Sequence, residues 1–108
     1  MSYDVRTPPP RRIPLRIDLV VLHTDRLEDC RAFYTGLGLT FVREQHGTGP
    51  EHYAAVLADG AVLELYPATG RPPTGHLRLG LAAPAGAAGA RRRVLTDPDG
   101  RTVVVTPG

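Results

Sequence analysis

The sequence predicts an α+β fold in which a β-α-β-β-β unit is followed by a truncated second β unit. Three observations carry that expectation. Apolar residues spaced by two (Leu15, Ile17, Leu19, Val21) give way to apolar residues spaced by three and four (Leu27, Cys30, Phe33, Tyr34, Leu37), a strand running into a helix. An Asp59-Gly60 pair then separates two short apolar runs, the mark of a β-hairpin. A second hairpin closes the chain around Asp97-Pro98-Asp99-Gly100, where proline and glycine supply the turn angles.

Taken in order, residues 1–14 are polar and proline-rich and are expected to form an extended tail. The first strand is expected over residues 15–23, with Val20 and Leu22 burying its second face toward the end. Asp25 has the character of a helix N-cap, with Glu28 three residues on to complete a capping box. Leu27, Cys30, Phe33, Tyr34 and Leu37 fall on one helical face, and Gly36 and Gly38 mark the end. Cys30 lies on that face, so it reads as a packed core thiol rather than a reactive one.

Strands over residues 40–44 and 52–57 flank a polar loop that contains His46, Gly47, Gly49 and Pro50. The Asp59-Gly60 turn leads into residues 61–66, which complete the first unit, 15–66. A proline-glycine connector, 67–75, opens the second unit, 76–107. Its strands are expected over 76–81, 92–96 and 101–106. Between them, residues 82–90 are alanine and glycine with one proline, a poor helix former.

Size and charge bound the function. The chain has 108 residues, 42% of them hydrophobic, enough for one domain with its own core, expected over 15–107. No apolar run reaches the ~20 residues that span a membrane, and no signal-peptide pattern is present. The single cysteine cannot form an internal disulfide, which suits a reducing, cytoplasmic setting. Thirteen basic residues against 11 acidic give a net charge of +2, too little to point to nucleic acid. The Arg91-Arg92-Arg93 run lacks the interleaved aromatics of a single-strand binder.

The order of these elements and several short motifs resemble the vicinal oxygen chelate superfamily, the glyoxalase, bleomycin-resistance and extradiol-dioxygenase group. The resemblance rests on Asp25-Arg26-Leu27-Glu28, Ala32-Phe33-Tyr34, Leu37-Gly38-Leu39, Leu63-Glu64-Leu65, Gly75-His76 and Asp97-Pro98-Asp99-Gly100-Arg101. It implies two β units around a small-molecule cleft and, in metal-using members, one ligand from each of four strands. Carried over by position, two of those ligands are Glu64 and His76, while the other two positions hold Leu19 and Val104. A divalent ion bound by imidazole and carboxylate needs about three or four protein ligands, and two of the four are apolar.

The resemblance therefore implies a protein that binds a small organic molecule in a cleft, with no cofactor expected. The alternative is a metal-dependent lyase, isomerase or dioxygenase in which Glu64 and His76 anchor a divalent ion that polarises substrate oxygens. A further alternative is a degenerate interaction domain, so whether the chain is an enzyme stays open. His23, Tyr66 and Arg78 are the candidate substrate contacts, since Tyr66 shares a strand face with Glu64 and Arg78 shares one with His76. Each has a plainer reading: Glu64 facing water or pairing with Arg78, His76 as a solvated strand start, His23 as a satisfied strand end. His46 and His52 carry no specific signal.

A homodimer is expected from the shortened half. Leu77, Leu79, Leu81, Val103 and Val105 form an apolar face with no amphipathic helix of their own unit to cover it. Leaving five such side chains exposed would forfeit on the order of 10 kcal/mol, and such a patch marks an interface.

Overall fold

The computed structural model of the chain describes residue 11, residues 13–84 and residues 91–107. The proline-rich tail expected over 1–14 lies almost wholly outside these residues, as does most of the alanine-glycine stretch 82–90. The elements are β1 (Leu19–Thr24), α1 (Leu27–Gly36), β2 (Phe41–Glu44), β3 (His52–Val56), β4 (Val62–Pro67), β5 (Arg78–Ala82), β6 (Arg93–Thr96) and β7 (Thr102–Thr106).

Two mixed sheets result, an α+β arrangement. The first has the order β1-β4-β3-β2, the second β5-β7-β6. In each, the opening strand lies parallel to the closing one, β1 to β4 and β5 to β7, while the strand before the closing one pairs antiparallel to it. The second unit thus repeats the first in shorter form. Among the described residues it has neither a helix nor a fourth strand.

The first strand is shorter than its alternation suggests. Residues 15–18 lie outside it, and Leu15 and Ile17 are exposed. The partner sets this limit: β4 begins at Val62, which pairs with Leu19, and the last bond runs from Val62 N–H to the Asp18 carbonyl. An apolar alternation without a neighbouring strand has nothing to bond to. The Asp59-Gly60 turn forms as expected. Gly60 has φ +91°, a left-handed conformation that glycine adopts without steric penalty, and its N–H donates to the Leu57 carbonyl.

The expected capping box does not form. The N-cap of α1 is Arg26, with no side-chain cap hydrogen bond. The Thr24 hydroxyl accepts from Arg26 N–H instead, at 2.9 Å. Glu28 turns away from the helix start because its carboxylate accepts from the Tyr53 hydroxyl at 2.6 Å and from Arg31 at 3.0 Å. A contact across the fold has replaced a local one.

Alternation assigns the two faces of the first sheet. Leu22, Tyr53, Leu63 and Leu65 face α1 and form the core with Cys30 and Tyr34. The opposite face carries Leu19, Val21 and His23 from β1, Glu64 and Tyr66 from β4, His52 and Val56 from β3, and Val42 and Glu44 from β2. The second sheet packs on the same core: Val103 and Val105 are buried in it, and Leu77, Leu79 and Leu81 lie against it. Of the apolar face expected to need a partner copy, Val103 and Val105 are buried within the chain, and Leu77, Leu79 and Leu81 are half-buried. The first unit shares its core with the second and so supplies part of the cover that a helix of the second unit would give.

Candidate functional site

Register across the first sheet sets a line of polar side chains on the face away from α1. His23 pairs with Tyr66 between β1 and β4, and Glu44 with His52 between β2 and β3. Between β3 and β4, Tyr53 pairs with Leu65, which sets His52 beside Tyr66. The four side chains therefore form one row across four strands: His23, Tyr66, His52, Glu44.

Their contacts follow that row. The His52 and Tyr66 rings stack with centroids 4.0 Å apart and planes 9° from parallel. His23 lies 5.7 Å from the other side of the row's tyrosine, ring to ring. His46, two residues past Glu44, places its ring 5.1 Å from His52. His52 is thus held between Tyr66 and His46 with its side chain 1% exposed. Its Nε2 stands 3.3 Å from Glu44 Oε1 and 3.8 Å from Glu64 Oε2. Burial, then the negative charges of Glu64 and Glu44, raise the Tyr66 hydroxyl above the usual phenol range, as expected when carboxylates oppose a second negative charge nearby.

The sequence-derived candidates divide between the two units. Glu64, His23 and Tyr66 come together on the open face of the first sheet. His76 is exposed in the connection before β5, and Arg78 is exposed at the start of β5. The connection is tied to the row's end, since Thr74 N–H donates to the His23 carbonyl and its hydroxyl accepts from His23 N–H, both at 2.9 Å. Leu19 and Val104 bring only alkyl groups to the other two positions, and Val104 is buried in β7 between Gly80 and Val94. These residues do not fit a four-ligand metal centre.

Sequence reasoning passed over Glu44, His46 and His52. What places them is the β2–β3 register: with Phe41 opposite Ala55, the antiparallel pair brings Glu44 opposite His52.

A separate groove of about 530 Å³ runs between the end of α1, the β3–β4 turn and the second sheet, lined by Leu37, Leu39, Leu57, Leu81 and Val105 among others. No member of the polar row lines it. It offers apolar volume, whereas the row offers the chemistry.

A mixed sheet of four strands with a helix on one face and a polar row on the other, followed by a shortened repeat, defines an α+β protein built on a βαβββ unit. The family model of the Glyoxalase/Bleomycin resistance protein/Dioxygenase superfamily matches residues 16–88, and the chain belongs to that superfamily. Among solved structures, it is similar to an antibiotic binding protein from Streptomyces sp. CB03234, with TM-score 0.59 and 16% identity over 89% of this chain and 98% of the other. It is similar also to lactoylglutathione lyase from Agrobacterium tumefaciens, with TM-score 0.60 and 18% identity over 90% of this chain and 96% of the other. At such identities the likeness is one of fold. No curated protein matches the sequence.

Proposed function

We propose that the chain binds a small, planar organic molecule on the open face of its first sheet, without the superfamily's four-ligand metal centre. The stacked His52–Tyr66 pair carries this reading. Its half-buried member, Tyr66, presents an aromatic ring backed by the buried His52 and bordered by hydrogen-bonding groups of His23, Glu44 and Glu64, and by the exposed alkyl groups of Leu19, Val42 and Val56. Flat apolar area with a few placed polar groups is what small-molecule sites offer. His23 and Tyr66 are the direct contacts in this reading. Arg78 and His76 belong to the second unit and contribute only if a ligand reaches beyond the row.

A homodimer is retained on a different footing from the one the sequence suggested. Leu19 is 50% and Val56 74% exposed on the open face, and a second copy laid over them would wall the ligand site. Sedimentation equilibrium at micromolar concentration is expected to give a mass of two chains; a single 11.6 kDa species without concentration dependence overturns it. A reducing, cytoplasmic setting is proposed from the one thiol, Cys30, which is buried and pushed up in pKa by that burial.

Ligand binding is tested directly by isothermal titration with a panel of planar aromatic acids and phenols. Tyr66→Ala is expected to weaken any binding by about two- to tenfold, the scale of one aromatic contact of ~0.5–1.5 kcal/mol. Leu57→Ala, in the separate groove, is expected to leave it unchanged. The reverse pattern moves the site to the groove.

A further inference from the structure

We propose that Glu44, His46 and His52 form a binding site for a divalent transition-metal ion of the zinc class, with Glu64 as a further carboxylate beside it. These residues sit at none of the metal positions carried over from the superfamily except Glu64. Glu44 ends β2, His46 follows in the β2–β3 connection and His52 opens β3. One ligand atom from each lies within 4.8 Å of the others. Glu44 Oε1 stands 3.3 Å from His52 Nε2 and 3.5 Å from His46 Nε2. Ligand atoms about 2.0–2.1 Å from a tetrahedral zinc ion stand roughly 3.3–3.4 Å from one another. The two edges that share Glu44 already have that separation, and the exposed His46 side chain is free to close the third.

His52 supplies an independent sign. Its Nδ1 lies 3.2 Å from the Pro50 carbonyl oxygen. A carbonyl only accepts, so Nδ1 carries a proton, and in the tautomer this leaves for a neutral ring Nε2 presents a lone pair. That Nε2 is buried and has no hydrogen-bond partner. It faces two carboxylates, Glu44 and Glu64. A buried lone pair turned toward two anions costs free energy unless a cation, a ring proton or a metal ion, lies between them. A metal ion satisfies all of these groups at once. The carbonyl behind Nδ1 is the outer partner that fixes the tautomer of a metal-binding imidazole. Imidazole nitrogen with carboxylate oxygen suits zinc, iron or nickel, whereas calcium and magnesium take oxygen ligands throughout.

The test needs no organic ligand, so its failure leaves the ligand-binding reading standing and the converse also holds. The full chain, stripped with EDTA and dialysed against micromolar Zn²⁺, is expected to retain one equivalent per chain by elemental analysis. His46→Gln, at an exposed position, is expected to lower zinc affinity about tenfold or more while thermal unfolding of the metal-free chain stays unchanged. His52→Gln is expected to lower it at least as much, and His76→Gln to leave it as it is. Substoichiometric zinc overturns the site and leaves His52 as the protonated partner of its two carboxylates. A zinc affinity that His46→Gln leaves unchanged, or that His76→Gln lowers as much, overturns it too.

Discussion

Two regions of this molecule bury an ionisable side chain among carboxylates, and they differ in how far its hydrogen bonds are met. In the β6–β7 turn, Arg101 is 2% exposed. It donates to Asp97 and Asp99, to the Thr74 carbonyl at 3.2 Å and to the His23 carbonyl at 3.1 Å. Asp97 in turn accepts from Asp99 N–H, Arg101 N–H and the Tyr34 hydroxyl. Every charge there has partners, and the network ties the second unit to β1 and α1. His52, equally buried, has one ring nitrogen satisfied and one facing open carboxylates. A completed network holds a fold together; an incomplete one is where a ligand can still be accepted.

The largest effect is expected from breaking the complete network. Arg101→Met leaves Asp97 and Asp99 without their cation in a buried position. Removing one partner of a buried ion pair costs about 3–5 kcal/mol, a large part of the ~5–15 kcal/mol that stabilises a domain. Urea unfolding is expected to show a midpoint lowered accordingly. A change under about 1 kcal/mol would mean that water replaces the guanidinium and that the network is less closed than its hydrogen bonds indicate.

A smaller effect is expected in acid. Burial alone would raise the Asp97 carboxyl, but hydrogen bonds from Tyr34 and from Arg101 outweigh it and hold the group below the usual carboxylate range. With the folded value below the unfolded one, the stabilisation is complete above the unfolded value, near pH ~4. It is lost as pH falls through the folded value. Tyr34→Phe removes one of the bonds that lower Asp97, at a cost of about 1.5–3 kcal/mol for a hydrogen bond to a charged group. The acid-unfolding midpoint of that variant is expected at higher pH than that of the parent chain, followed by circular dichroism. An unchanged acid limb would remove Asp97 as its source.

The same two regions mark what the sequence made legible. The hairpin around Asp97-Pro98-Asp99-Gly100 could be read because its turn is local: Gly100 takes φ +90°, and its N–H bonds back to the Asp97 carbonyl. The helix face could be read because Leu27, Cys30, Phe33, Tyr34 and Leu37 repeat with the helical period, and all five reach the core. The capping role given to Glu28 failed because Tyr53, 25 residues away, competes for the same carboxylate. The cover for Leu79 and Val103 could not be read either, because it comes from another unit. For the candidate site, Glu64 came from its position in the family resemblance, and strand alternation set Tyr66 on the same face, as the structure has it. Glu44 and His52 needed the β2–β3 register, which a polar loop of indefinite length conceals.

The smallest effect tests whether the row behaves as one electrostatic unit. Tyr66 ionises above the usual phenol range through burial first and the charges of Glu64 and Glu44 second. Glu64→Gln keeps the shape of the side chain and removes one of those charges, so the Tyr66 hydroxyl is expected to ionise at lower pH than in the parent chain. Burial remains, so the value should not return fully to that of free tyrosine. Glu51→Gln changes a carboxylate that lies near Arg43 at the exposed end of the same hairpin, and it is expected to leave Tyr66 where it was. The chain has no tryptophan and four tyrosines, so tyrosinate absorbance during an alkaline titration reads the ionisation without interference, and a Tyr66→Phe control assigns the signal. A titration that Glu64→Gln and Glu51→Gln alter equally would show that the row is screened by water. His52 would then face solvated carboxylates rather than a site that concentrates negative charge for a cation.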